Sequence, residues 1–252
     1  MIIASKSIKG NYRSKNDDRI GVFENEWATL AILCDGIGGY SGGDIAANIV
    51  VSEFGINFQK EFKFTEFTQI EQWVDKTVFK CRSLIKKAAL QNKITQNMGT
   101  TLTGAIILPT QQKALLFNSG DSRVYILTKN KNLIQATKDN NVENKLIEEG
   151  HSIEVAKKNP LASYLTSAVG LNIKTTIHFE EIESEIYQKI AKFLITSDGV
   201  HSFLYLMELQ HILNMELTPN EQIDELLERA TLAESTDNIS AIIIDMEHKD
   251  EK

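Results

Sequence analysis

The sequence predicts an α+β fold in which two antiparallel β-sheets pack face to face and helices cover their outer surfaces. Short apolar segments with very short polar connections fill the middle of the chain, and segments with helical periodicity lie before and after them. Such short connections favour antiparallel neighbours, because a parallel crossover needs about a dozen residues or more. Since the helices cluster in two groups and do not alternate with strands, a doubly wound parallel sheet is not expected.

The first predicted elements are a buried strand and two helices. Residues 28–34 form a continuous apolar run in front of a glycine-rich loop, which predicts a buried strand. Residues 44–58 are predicted to be helical, with Ile45, Ile49 and Val50 on one side. From residue 67 to residue 88 apolar side chains recur at spacings of three and four, which predicts an amphipathic helix.

The rest of the chain supplies further strands and helices. Strands are predicted at residues 101–108, 113–118, 123–127, 133–137, 191–196 and 239–246. Helices are predicted around residues 142–149, 153–157, 202–213 and 220–232. No internal repeat, low-complexity segment or Pro/Ser-rich linker divides the chain, so residues 1–252 are expected to form a single domain.

Composition excludes several classes of protein. The net charge of -7, from 27 Lys+Arg and 34 Asp+Glu, argues against a nucleic-acid binder, which needs a basic face. No apolar run is long enough to span a membrane, and the N-terminal apolar stretch is too short for the core of a signal peptide. Cys34 and Cys81 lie in no CxxC or Cys/His cluster, which argues against a zinc site or a disulfide framework and favours the cytoplasm.

Aspartates at strand ends and in turns are the candidate chemical groups. Asp35 and Asp198 each follow a buried apolar run, Asp121 lies in a tight turn, and Asp237 precedes the last strand; Asp17 and Asp18 precede a short apolar segment. Any one of them alone is more often a turn residue than a ligand. Several convergent carboxylates, however, repel one another unless cations lie between them. Oxygen ligands without His or Cys select Mg²⁺ or Mn²⁺ rather than Zn²⁺.

Two neighbouring features fit a phosphate and a metal. Arg13 lies shortly before Asp17, and a guanidinium there is suited to binding a phosphate through two parallel hydrogen bonds, although Arg13 taken alone is more often an exposed loop residue. The glycine-rich segment DGIGGYSGG at 35–43 matches neither common nucleotide-loop pattern. It is better explained by close approach of the backbone to a metal, with the carbonyl of Gly36 as a ligand.

Together these segments resemble the protein phosphatase 2C family of Mg²⁺/Mn²⁺-dependent phosphatases, in its prokaryotic form, in the family's order and over nearly the whole chain. The segments are RSKNDDR (13–19), DGIGGYSGG (35–43), MGTT (98–101), NSGDSRVY (118–125), LTSAVG (165–170), TSDGV (196–200) and DNIS (237–240). The family counterparts are R-x-x-N-E-D, DGMGGH-x-x-G, MGTT, VGDSR-x-Y, LTRALG, SDGL and DNIT. The resemblance implies a β-sandwich flanked by helix pairs, an αββα arrangement that agrees with the fold predicted above.

The resemblance also implies a function. It predicts hydrolysis of phosphoserine and phosphothreonine monoesters in proteins by a hydroxide that bridges two Mn²⁺ or Mg²⁺ ions. The expected partners are phosphoprotein substrates, together with a Ser/Thr kinase and its targets, and neither nucleic acid nor membrane is expected. A Cys-based mechanism lacks its signature, since neither cysteine is followed by a phosphate-binding loop that ends in Arg.

Site roles follow from the same resemblance. Asp35 would bridge the two metals with the Gly36 carbonyl beside it, and Asp198 and Asp237 would complete the second metal. Asp17 and Asp18 would hold metal-bound waters, and Asp121 would help to bind a third, weaker cation. Arg13 would bind the phosphate. Arg13 and Asp35 are thus the candidate catalytic residues.

Departures from the family pattern leave an alternative open. Ile37 and Tyr40 stand where family members carry histidines, Asn140 replaces the His of the T-x-D-H segment, Ser167 replaces an Arg, and Asp17 is one methylene shorter than the usual Glu. The alternative is a pseudophosphatase, a phosphoprotein-binding or regulatory module with little turnover. The presence of the three central metal carboxylates favours catalysis.

The missing histidines also concern proton donation to the leaving group. His201 is the only histidine close in sequence to a predicted ligand, Asp198, and an exposed position at the start of a helix is the preferred interpretation of it. The hypothesis is therefore that a metal-bound water, and no imidazole, donates this proton.

Overall fold

Two five-stranded antiparallel sheets form the centre of the computed structural model, which describes residues 1–37, 42–91 and 98–246. The strands are β1 (Ile2–Ile8), β2 (Arg19–Glu24), β3 (Thr29–Cys34), β4 (Gly36–Ile37), β5 (Gly99–Thr100), β6 (Leu102–Leu108), β7 (Lys113–Ser119), β8 (Arg123–Thr128), β9 (Leu133–Gln135), β10 (Val169–Gly170), β11 (His178–Ile182), β12 (Ile190–Thr196) and β13 (Ile239–Asp245). The helices are α1 (Gly43–Glu61), α2 (Phe67–Gln91), α3 (Val142–Glu148), α4 (Ile153–Lys157), α5 (Ser184–Tyr187), α6 (Asp198–His201), α7 (Leu206–Leu213) and α8 (Pro219–Leu232).

The strand order joins distant parts of the chain. One large sheet has the order β1-β13-β12-β8-β9, and the other has the order β11-β7-β6-β3-β2. A small third sheet, β10-β5-β4, extends from the end of β3. Because β1 pairs with β13 along its whole length, the two ends of the described chain lie side by side.

Three apolar clusters show that the arrangement has four layers. Alternate residues of a strand point to opposite faces, so Ala31 and Leu33 of β3 lie between the two sheets while Leu30 and Ile32 pack with α1 and α2. The outer face of the other sheet packs with α7 and α8. The expected αββα sandwich is confirmed. None of the described helices combines the length and the apolar content needed to cross a bilayer.

The prediction for α1 grouped Ile45, Ile49 and Val50 on one side, but of these only Val50 is fully buried. Ile45 is 37% exposed, whereas Val50, Phe54 and Phe58 are fully buried. The reason is close contact with β2: a Cβ built at Gly55 would lie 2.4 Å from the Phe23 ring. A small residue at this point lets the helix lie close to the sheet, which fixes the face that it buries.

Three edge strands, β1, β2 and β11, are absent from the sequence-based prediction. Each lies at one edge of a large sheet. Lys6 in β1 and Glu180 and Glu181 in β11 are exposed. Charged side chains are common on edge strands, where they discourage pairing with other chains, and they weaken the apolar pattern from which strands are predicted.

Two further predictions need correction. Of the helix expected at residues 202–213, only 206–213 is helical (α7), and residues 202–205 form an irregular segment between α6 and α7. The short connection after β7 was expected to join antiparallel neighbours, but β7 and β8 lie in different sheets. The turn that carries Asp121 therefore crosses from one sheet to the other, close to the ends of β3 and β12.

Candidate metal centre

Asp35 is held by backbone and hydroxyl contacts directly after β3. Its N–H donates to Thr101 Oγ1 at 2.9 Å, and its carbonyl accepts from the Thr101 N–H and from Thr100 Oγ1, both at 2.8 Å. Thr101 Oγ1 is also 2.9 Å from Ser122 Oγ, next to Asp121. The segment 100–101 thus fixes Asp35 relative to the crossing turn.

Asp198 and Asp237 are brought together by a contact that requires glycine. A Cβ built at Gly199 would lie 1.9 Å from the carbonyl oxygen of Asn238 and 3.5 Å from Asp237 Cβ. Asp198 begins α6 directly after β12, and Asp237 precedes β13, which pairs with β12. Adjacent strands therefore deliver the two carboxylates to one place.

Asn238 connects this place to the N-terminal loop. Its side-chain N–H groups donate to the carbonyls of Lys9 and Lys15, each at 2.9 Å, and its Oδ1 accepts from the Asp17 N–H at 2.8 Å. Sequence reasoning did not identify Asn238 as a site residue. The adjacent Asp237 in the DNIS segment was the only signal, because an amide that binds loop backbone leaves no periodic pattern.

Asp18 is a buried carboxylate in the same region. Its Oδ2 accepts a hydrogen bond from Ser240 Oγ at 2.6 Å. Burial raises the pKa of Asp18 to about 7, and the negative charges of Asp198 and Asp237 add to the rise while the serine hydrogen bonds oppose it.

The other carboxylates are perturbed in the same direction. Burial, followed by the charge of Asp18 and then that of Asp198, raises the pKa of Asp35 well above its ordinary value. Burial and then the charge of Asp237 raise the pKa of Asp198. Burial and then the charge of Asp198 raise the pKa of Asp121 to about 7. Carboxylates that oppose each other's ionisation in this way lie within electrostatic reach of one another, which is the condition for sharing cations.

Asp17 and Gly36 also lie at this centre. A Cβ built at Gly36 would be 2.5 Å from the carbonyl carbon of Gly43 and 2.7 Å from the carbonyl oxygen of Asp17, so the two loops meet through bare backbone. Asp17 Oδ1 is 3.0 Å from Lys15 Nζ, which is also 3.0 Å from Asp44 Oδ1. Asp17 is therefore paired with a lysine in this structure.

Arg13 reaches the centre as well. Its Nη2 is 2.5 Å from Asp237 Oδ2, and half of its side chain is exposed. Arg13 is thus both beside the carboxylates and open to a ligand.

The donors fit a hard divalent cation in type. Asp198 Oδ1 is buried and has no hydrogen-bond partner among the described residues, which leaves a ligand atom free. Within those residues, no group of three or more His, Cys, Asp and Glu side chains is arranged so that it could hold a metal by itself. Mg²⁺ is usually bound through one or two carboxylates and keeps several waters, so a complete cage of protein side chains is not required.

A cavity of about 280 Å³ opens beside Asp121 and Asp198, and His201 lines it. The interpretation of His201 as an exposed residue is wrong: it is partly buried, and its Nδ1 lies 2.9 Å from Thr196 Oγ1. Helix α6 starts so soon after β12 that it turns the imidazole back onto the end of that strand. Burial, followed by the positive charge of Arg123, lowers the pKa of His201 well below its ordinary value. The imidazole is therefore neutral at pH 7.

Those residues departing from the family pattern that lie in the described part of the chain make contacts within the fold. Asn140 Oδ1 accepts from the Gly120 N–H at 3.0 Å, and the Asn140 N–H donates to the Gly120 carbonyl at 2.7 Å. This clamps the turn before Asp121, in which Gly120 has φ +128°. Ser167 Oγ is 2.7 Å from Ser119 Oγ, and Ile37 lies in β4. Tyr40 and the C-terminal residues 247–252 lie outside the described residues.

Comparison with known proteins gives consistent matches over nearly the whole chain. The family model described as protein phosphatase 2C matches residues 11–242. The serine/threonine phosphatase stp of Listeria innocua is 29% identical over 239 residues, which covers 94% of this chain and 92% of that protein. The protein phosphatase PhpP of Streptococcus pneumoniae is 24% identical over 243 residues and 96% of each chain.

Solved structures show the same similarity. The serine/threonine phosphatase Stp1 from Staphylococcus aureus superposes with a TM-score of 0.86 at 26% identity, covering 98% of this chain and 95% of that chain. The Mycobacterium tuberculosis serine/threonine phosphatase PstP/Ppp gives a TM-score of 0.80 at 25% identity, covering 98% and 99%. The span matched by the family model contains all six aspartates and Arg13.

Proposed function

The chain belongs to the protein phosphatase 2C family and is a metal-dependent protein serine/threonine phosphatase, and we propose that its chemistry is centred on Asp35, Asp198 and Asp237. The observation that carries this assignment is the convergence of these three carboxylates, each from the end of a different strand of the two sheets. Neither the geometry nor the relatives favour the pseudophosphatase alternative.

The cations are proposed to be Mn²⁺ or Mg²⁺, as the oxygen donors indicate. Asp35 and the Gly36 carbonyl would hold two of them together, Asp198 and Asp237 would complete the second, and Asp17 and Asp18 would act through water. Asp121 would help to hold a third ion. When bound, such ions activate water as a nucleophile at neutral pH and neutralise charge on the transferred phosphoryl group.

The chain's own residues position the substrate and the ligands. Arg13 is proposed to turn from Asp237 to the phosphate, which it can bind through two N–H groups. Thr100 and Thr101 hold the backbone of Asp35 through hydrogen bonds, which helps to keep its carboxylate in position. Gly199 keeps Asp198 close to Asp237.

We also propose a compartment, a domain organisation and partners for the protein. The two cysteines are free and buried, which supports a reducing compartment such as the cytoplasm. Pairing of β1 with β13 and the family match over 11–242 support one phosphatase domain for residues 1–252. A Ser/Thr kinase and its phosphorylated targets are the proposed partners.

Phosphate release from a phosphothreonine peptide and from an aryl phosphate, each with Mn²⁺ or Mg²⁺, tests the function directly. The purified protein is expected to hydrolyse both. If neither substrate released phosphate with Mn²⁺ or with Mg²⁺, the assignment would be overturned.

Arg13→Ala is expected to lower kcat/KM for a phosphopeptide by about 10- to 100-fold, because charge-assisted hydrogen bonds to the phosphate are lost. Arg13→Lys keeps the charge but loses the planar fork, and we expect it to recover only part of the loss. A Mn²⁺ titration of each variant is the control, since Arg13 also contacts Asp237. Unchanged kinetics in Arg13→Ala would make Arg13 an ordinary loop residue.

His201→Gln is expected to change the rates on a phosphothreonine peptide and on an aryl phosphate by similar, small factors. A neutral imidazole that already contacts Thr196 is a poor general acid. Loss of a true general acid costs about 10²- to 10⁴-fold and is hidden on an aryl phosphate, whose phenolate leaves without help. A large loss on the peptide alone would therefore identify His201 as the acid.

A further inference from the structure

The cavity beside Asp121 and Asp198 offers room for more of a substrate than its phosphate. It has a volume of about 280 Å³, and residues 159, 160, 162 and 163 form part of its wall. Since the phosphate is proposed to bind at the carboxylate centre, the cavity lies where side chains near the phosphorylated residue would be placed.

The charged groups around the cavity are mostly compensated. Arg123 donates to Asp139 from Nε to Oδ1 at 2.9 Å and to Oδ2 at 3.2 Å, and from Nη2 to Oδ2 at 2.7 Å. Asp121 and Asp198 are proposed cation ligands. Glu143 is different: it is only partly exposed, and it makes no ion pair or side-chain hydrogen bond with the residues that the structure describes.

Glu143 is held at this position by its backbone. Its N–H donates to the Ala162 carbonyl at 2.9 Å, and the Val142 N–H donates to the Tyr164 carbonyl at 2.9 Å. The side chain of Asn141 caps the start of α3 by accepting from the Asn144 N–H at 2.9 Å. The first turn of α3 is thus tied by hydrogen bonds to residues 162 and 164 beside the cavity, which limits how far the carboxylate can move.

We propose that Glu143 selects phosphoprotein substrates that carry a lysine or arginine within a few residues of the phosphorylated side chain. The inference rests on the proposed function, because that function places the phosphate next to the cavity. An extended peptide advances about 3.3 Å per residue and basic side chains are long, so a cation near the phosphorylated residue can enter a cavity adjoining the centre. A partly buried carboxylate without a partner attracts such a cation more strongly than a fully solvated one does.

The experiment compares phosphothreonine peptides that differ only by arginine or glutamine at one position, scanned over one to three residues on either side of the phosphothreonine. At the best position, the wild-type protein with Mn²⁺ is expected to show a kcat/KM about five-fold higher for the arginine peptide, an advantage that falls at high salt. Glu143→Gln should bring the ratio to about one, and Glu143→Lys should reverse it. The matched control is Glu154→Gln, which removes an exposed glutamate from α4 away from the cavity and should keep the wild-type ratio.

Hydrolysis of an aryl phosphate, which has no peptide part, reports whether each variant keeps a working centre. Equal kcat/KM for all peptides in the wild type, or an arginine preference that survives in Glu143→Gln, would overturn the role of Glu143 and leave the phosphatase assignment intact. A Glu143→Gln defect that higher Mn²⁺ repairs, with the peptide preference unchanged, would overturn it too. Failure of the wild type on every peptide and on the aryl phosphate would instead contradict the proposed function.

Discussion

Asp35→Asn should abolish hydrolysis of both a phosphopeptide and an aryl phosphate, with kcat falling by about 10³-fold or more. The substitution keeps the shape of the side chain but removes the charge that would hold two cations together, and cation stabilisation of the transition state is worth several kcal/mol. The measurement is phosphate release at saturating substrate over a range of Mn²⁺ concentrations.

The same variant should not be destabilised when metal is absent. Asp35 is partly buried among like charges, with Asp18 and Asp198 the largest contributors, so removing its charge relieves repulsion. We expect a metal-free Tm equal to or above that of the wild type and a much smaller rise in Tm on addition of Mn²⁺. Asp224→Asn, which loses only an exposed ion pair with Lys6, is the matched control and should change neither activity nor metal response. Near-native kcat in Asp35→Asn would show that Asp35 is not a ligand.

The positions of the metal-site aspartates in the chain could be predicted from the sequence. Asp35 and Asp198 follow apolar runs that form buried strands, β3 and β12, so the strand pattern locates them directly. Their convergence depends on which strands become neighbours. That information is not periodic: β7 and β8 are separated by three residues yet lie in different sheets.

Loop residues that act through backbone contacts could not be predicted. Asn238 binds the carbonyls of Lys9 and Lys15 from more than 200 positions away in the chain, and nothing in the local sequence indicates those partners. Likewise His201 lies at the start of a helix predicted from sequence, a position that is typically exposed. In the structure it ends α6, and its ring contacts Thr196. In both cases tertiary structure decides the environment of the side chain.

Removal of divalent cations is expected to eliminate activity, and addition of Mn²⁺ or Mg²⁺ should restore it. Binding to the folded state alone also stabilises it, by about 2.7 kcal/mol when the free ion is at 100 times its Kd. For a chain of this size that corresponds to a rise in Tm of roughly 5–10 °C. Activity and thermal unfolding are measured on the same chelator-treated protein before and after addition of the ion. Full activity in metal-stripped protein would rule out the mechanism.

Stability of the metal-free protein should also fall as pH rises. Burial raises the pKa of Asp18 and of Asp121 to about 7, against about 4 in an unfolded chain. Between these values the folded state binds more protons than the unfolded state, so the free energy of unfolding decreases with increasing pH and the loss is complete above about pH 7. Bound cations compensate the ionised carboxylates, so Mn²⁺ should raise Tm more at pH 8 than at pH 5. The measurement is a set of thermal melts at both pH values with and without Mn²⁺. A metal-free protein that is equally stable at both pH values, or a Mn²⁺ effect that is independent of pH, would mean that these carboxylates do not face a shared cation site.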